Sequence, residues 1–158
     1  MRLSPTTRSQ SKNLRSRSRN RMGRAGDRRG RVSYNPLPMV SHDLTVERYA
    51  GVTDEQRVLL LRGPLTIETT PHFERAVRNE NAETMILDLS DVPYIDSIGL
   101  GSLVAAHVSH QKTGRCLVLT GVTPRVMKVL KITNVHNFFM TFPTTWEAAE
   151  ALANTGTA

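Results

Sequence analysis

Two short apolar runs, Met85-Ile86-Leu87-Asp88-Leu89 and Arg115-Cys116-Leu117-Val118-Leu119, each lead through a turn into a segment of helical periodicity. That recurrence constrains the fold, because parallel neighbouring strands need a crossover long enough to hold a helix. After the first run, Asp91 and Pro93 mark a turn. Leu100, Leu103, Val104, Ala106, His107 and Val108 then predict a helix over 98–112, buried along most of its length and closed by Gly114. After the second run, Pro124 suits the first turn of a helix over 123–132 that turns Val126, Val129 and Leu130 inward.

Upstream, a hairpin is expected from strands at 44–50 and 56–62 joined around Gly51 to Glu55, with Arg62-Gly63-Pro64 ending the second strand. A helix over 69–80 carries Phe73, Ala76 and Val77 at helical spacing. A short strand at 137–142 and a last helix at 144–153, capped by Thr144 or Thr145, complete the order. The expected fold is α/β: one domain with a mixed, mostly parallel β-sheet of four to five strands, covered by about four helices and carrying an antiparallel strand at its edge. A chain of 158 residues holds one ordinary core.

The formal charge of +7 is unevenly spread. Residues 1–31 hold ten arginines and Lys12 against Asp27 alone, which leaves the remainder mildly acidic. Residues 1–38 are rich in Arg, Ser, Gly and Asn and are expected to be a disordered tail. Three readings compete for it: an arm for nucleic acid or an anionic surface, an organelle presequence, or codons upstream of a misassigned start. Met39, directly before the folded pattern, favours the third. The acidic remainder is not expected to bind DNA directly. Cys116, the sole cysteine, excludes an intramolecular disulfide and is expected to be a buried, reduced thiol. No apolar run approaches the length of a membrane span, and the Arg-rich start lacks the apolar stretch of a secretory signal. A cytoplasmic location is expected.

Between the first apolar run and its helix stands Asp96-Ser97-Ile98-Gly99-Leu100-Gly101. A serine there projects into solvent from a helix N-terminus, where unpaired amides and the helix dipole favour an anion. On the residues alone, the simpler reading is that Asp96 or Ser97 caps the helix while the glycines permit close packing. This motif, with Ile86-Leu87-Asp88-Leu89-Ser90-Asp91-Val92 before it and Leu117-Val118-Leu119 to Val126-Met127-Lys128-Val129-Leu130 after it, resembles a STAS domain, and within that family the bacterial anti-sigma factor antagonists. The resemblance runs from about Asp43 to Leu152, so residues 39–158 are expected to form that domain.

The resemblance implies a binding module, not an enzyme, with no cofactor or metal. Ser97 matches the serine that is phosphorylated by a partner that is both anti-sigma factor and serine kinase; a separate phosphatase removes the phosphate. The unmodified form binds that partner and frees a sigma factor. Asp96, Ser97, Ile98, Gly99, Leu100, Gly101 and Thr66 are the expected contact residues, with Ile98 and Leu100 adding apolar area. The chain departs from the family at Gly63-Pro64-Leu65-Thr66, where many members carry two carboxylates; Thr66 is expected to cap the next helix or to bond the partner. A STAS adaptor of a transporter or lipid-trafficking complex, without regulated phosphorylation, is the alternative.

Other chemistries fit poorly. A hydrolase elbow needs glycine where Ile95 stands. Gly99-Leu100-Gly101-Ser102-Leu103-Val104 lacks the third glycine of a dinucleotide loop, and no acidic group follows at ribose distance. His107 and His110 lack companions for a metal and are expected to pack or face solvent. Arg125, Lys128 and Lys131 read as a solvated cationic stripe, and Trp146 as an anchor of the last helix on the sheet or an exposed contact residue.

Overall fold

The computed structural model describes residues 43–155, so the expected tail over 1–38 lies outside the described residues. The chain runs β1 (Thr45–Ala50), β2 (Gln56–Arg62), α1 (Thr70–Arg78), β3 (Thr84–Asp91), α2 (Ser97–Lys112), β4 (Cys116–Thr120), α3 (Pro124–Ile132), a 3-10 turn (His136–Phe138), β5 (Met140–Phe142) and α4 (Thr145–Ala153). The sheet order is β1-β2-β3-β4-β5; β1 pairs antiparallel with β2 at one edge and every other pairing is parallel. The mixed α/β architecture read from the sequence is the one observed.

Strand alternation divides the core between two faces. Leu59, Leu61, Met85, Leu87, Leu89, Leu117 and Leu119 point to the face covered by α1, α2 and α3, where they meet Phe73, Leu103, Val126 and Leu130. On the other face Val58, Ile86 and Val118 meet Ala148 and Ala149 of α4. Burial on both faces explains why β3 and β4 read as continuous apolar runs. Gln56, itself buried, donates from Nε2 to the Ala149 carbonyl at 2.9 Å and so ties α4 to the start of β2.

Two sequence expectations change, and a third is decided between its alternatives. The strand expected from 137 begins only at Met140, because Phe138 N–H bonds the Val135 carbonyl at 3.0 Å and winds His136–Phe138 into a 3-10 turn. Trp146, expected as an anchor or as an exposed contact residue, is exposed, and α4 packs on the sheet through Ala148 and Ala149 instead. Cys116 is half-buried, and the burial it has pushes its thiol pKa up.

Helix α2 buries Gly99, Leu100, Ser102, Leu103, Ala106, His107 and His110, while Val108 faces solvent. Both histidines therefore pack inward. His110 donates from Nδ1 to the Ala106 carbonyl at 2.9 Å, leaving Nε2 buried without a partner. Desolvation pushes its pKa down, with Arg115 and His107 adding to that direction against the Ala106 hydrogen bond. The folded state thus resists a proton that the unfolded chain takes up near pH 6.5. Stability is full above that value and falls as pH drops toward the folded pKa. The urea midpoint should decline between about pH 7 and pH 5, and His110→Leu should flatten that decline; an unchanged slope in the variant would assign it to other groups.

Candidate functional site

The motif read at 96–101 sits where the loop after β2 meets the start of α2. Leu65 and Ile95 form an isolated parallel bridge, extending the pairing of β2 and β3 past their ends. Leu65 N–H donates to the Tyr94 carbonyl at 3.2 Å and the Leu65 carbonyl accepts from Asp96 N–H at 3.1 Å. Gly99 presses on that same carbonyl: a methyl group at its Cα would overlap the Leu65 oxygen. Only glycine lets the helix start this close to the neighbouring loop.

Asp96 closes the junction. Its Oδ1 accepts from Gly99 N–H at 2.8 Å, capping α2, and its Oδ2 accepts from Ile67 N–H at 3.0 Å across the two loops. Desolvation pushes the carboxyl pKa up, but the Gly99, Ile67 and Ile98 amides outweigh it and hold the net value below the ordinary carboxylate range. The carboxylate is ionised at neutral pH and committed to its own chain. Of the α2 amides that the sequence left open for an anion, Asp96 takes that of Gly99.

Ser97 follows as the first helical residue and is exposed. Ile98 beside it is 49% exposed, and Ile67, held over the junction by Asp96, is 62% exposed. Both are large apolar groups in water; Ile98 directly follows the serine, and the Ile67 backbone is tied to Asp96, which directly precedes it. Nearby, the Arg125 guanidinium lies 5.4 Å from the Tyr94 ring centroid, a cation–π contact that sets a positive charge by the β3–α2 loop.

The remaining expected contact residues divide by exposure. Leu100 and Gly99 are buried, so they shape the junction from below and Leu100 offers no apolar area to a visitor. Gly101 is exposed with open space around its Cα, so no close approach requires glycine there. Thr66 is half-buried; its carbonyl, rather than its hydroxyl, accepts from the Thr69 and Thr70 amides at the start of α1. Sequence reasoning missed Ile67 and the pairing of Tyr94 with Arg125. An isolated isoleucine in a turn was the only signal for the first, and none exists for the second.

The STAS domain model matches residues 44–148, more than half of the chain. The chain belongs to the STAS domain family. A Thermotoga neapolitana protein, provisionally named an anti-sigma factor antagonist, is 31% identical to this STAS domain over 103 residues, covering 63% of the chain and 91% of the relative. The crystal structure of a Thermotoga maritima protein, also provisionally named an anti-sigma factor antagonist, matches with a TM-score of 0.63 at 28% identity, covering 68% of this chain and 94% of that one. The structure of the anti-sigma factor antagonist SpoIIAA in its unphosphorylated form matches with a TM-score of 0.58 at 20% identity, over 70% of this chain and 97% of that one, a likeness of fold alone. Among the described residues, no helix of this STAS domain is long and apolar enough to cross a membrane.

Proposed function

We propose that this STAS domain is an anti-sigma factor antagonist of the bacterial cytoplasm, switched by phosphorylation of Ser97. In the unmodified state it binds an anti-sigma factor that is also a serine kinase and so releases a sigma factor; the kinase transfers phosphate to Ser97 and binding is lost until a phosphatase restores it. The partner brings the nucleotide and the catalysis, and this chain serves as ligand and substrate. The names of the Thermotoga relatives support the first part of this reading. The observation that carries it is that Ser97 is exposed next to the exposed Ile98, at a junction where Asp96 bonds the Gly99 and Ile67 amides and Ile67 is exposed too.

The region around that hydroxyl mixes apolar area with one donor, as the desolvated centre of a protein interface does. The loop that departs from the family at Pro64 and Thr66 carries the exposed Ile67, and on this reading apolar contact takes the part that carboxylates play in other members. Incubation with candidate anti-sigma kinases and ATP should label the wild-type chain at Ser97 and leave Ser97→Ala unlabelled. Label at another residue would overturn the site, and no label with any such kinase would favour the adaptor reading.

A further inference from the structure

A second site is built at the other end of α2. His107 stands ten residues beyond Ser97, so it lies about 15 Å along the helix axis at 1.5 Å per residue. There α2, the start of β4, the 3-10 turn and β5 surround an open cleft of about 380 Å³. Its walls include His107, Arg115, Cys116, Asn137, Phe138 and Met140. This volume lies at the lower end of the roughly 300–1,000 Å³ typical of small-molecule sites.

Three features of the walls are unexplained by folding. His107 is 7% exposed, yet both ring nitrogens are buried without a hydrogen-bond partner while the ring packs on Phe139 at 4.9 Å. Such a ring is an unusual core residue, because a buried polar atom without a partner is costly. Arg115 donates from Nε to the Thr113 hydroxyl at 3.0 Å and from one terminal nitrogen to the Glu80 carbonyl at 3.2 Å. It forms no ion pair among the described residues, so its charge is oriented but unneutralised. Along the same cleft, Phe138 is 56% and Met140 52% exposed, apolar area left in water.

We propose that this cleft binds a small organic carboxylate with an apolar body. The carboxylate would pair with the remaining terminal nitrogen of Arg115, and the body would lie between Phe138 and Met140. Arginine suits this task because its donors are planar and fixed, and here two of them are already anchored. The neutral half-buried thiol of Cys116 and the carboxamide of Asn137 add no opposing charge. A phosphate or other compact anion would satisfy the guanidinium but leave the apolar rim in water, so the combination selects for an amphiphile. The proposal stands independently of the Ser97 reading, since it involves neither that residue nor its surface.

The test is a titration of the full-length, unphosphorylated chain with 3-phenylpropionate, followed by 1H–15N NMR. Inorganic phosphate and 3-phenylpropanol serve as controls for charge without body and body without charge. Saturable shifts should appear at Arg115–Leu117 and Asn137–Met140, with a dissociation constant on the order of 1 mM. Loss of a charged hydrogen bond should make the alcohol about ten-fold weaker or more. Arg115→Gln should weaken the carboxylate similarly. Met140→Glu, at an exposed position that leaves the fold intact, should do the same by repulsion. Absence of saturation up to about 10 mM, equal binding of the alcohol, or undiminished binding in Met140→Glu would each overturn the proposal. Shifts confined to the Ser97 surface would also overturn it.

Discussion

Gly99→Ala should destabilise the domain by about 1–3 kcal/mol, whereas Gly101→Ala, on the same helix, should stabilise it by about 0.5–1 kcal/mol. The two glycines look equivalent in the motif and have opposite surroundings. At Gly99 the added methyl meets the Leu65 carbonyl, a backbone atom that cannot swing aside as a side-chain end can. Relief requires the helix start to lift from the loop after β2. That movement stretches the Asp96 bonds to Gly99 and Ile67 and weakens the Leu65–Ile95 bridge, so the cost falls on several contacts together. At Gly101 the methyl points into open space, and only the gain in helix propensity remains. Urea unfolding at constant m-value reads both effects. Equal effects of one sign would mean that the helix start is free to shift and that the junction is not rigid.

How far the sequence foretold this arrangement depends on the range over which each interaction acts. Strand and helix order was legible because β3 and β4 are covered on both faces, which writes burial directly into consecutive apolar residues. The cap was legible because Asp96 acts on Gly99 three residues away. Its second bond, to Ile67, spans 29 residues and depends on how two loops meet, so nothing in the motif announces it. The inward face of α2 was misread at Val108 because His107 and His110, polar by type, occupy buried positions. The start of β5 was misread because Phe138 and Phe139 belong to a strand-like apolar run, while Asn134 (φ 60°) ends α3 just ahead of a 3-10 turn. For Trp146 residue type left both an anchor and an exposed contact open, since which face of α4 meets the sheet is set by Ala148 and Ala149, whose small side chains give a weak signal.

Phosphoserine at position 97 should release its second proton at or above the ordinary value of about 6, and Asp96→Asn should lower that value. The opposite expectation follows from a helix N-terminus with open amides, which would draw the dianion in and favour it. Here Asp96 has claimed the Gly99 and Ile67 amides, with a contribution from Ile98, and stands ionised next to the modified residue. Two negative groups then share one helix end, and like charges at short range disfavour the second ionisation. The phosphate is turned outward to water and to whatever docks. A partner closing over Ile67 and Ile98 would have to desolvate it without compensation, at a cost of about 2–5 kcal/mol, or roughly 30- to 3000-fold in affinity. A 31P titration of chain carrying phosphoserine at 97, in the wild-type and Asp96→Asn backgrounds, separates the two pictures before any partner is in hand. A wild-type value well below 6 that Asp96→Asn leaves in place would mean that the helix neutralises the phosphate on its own chain, and the switch would then need a steric rather than an electrostatic basis.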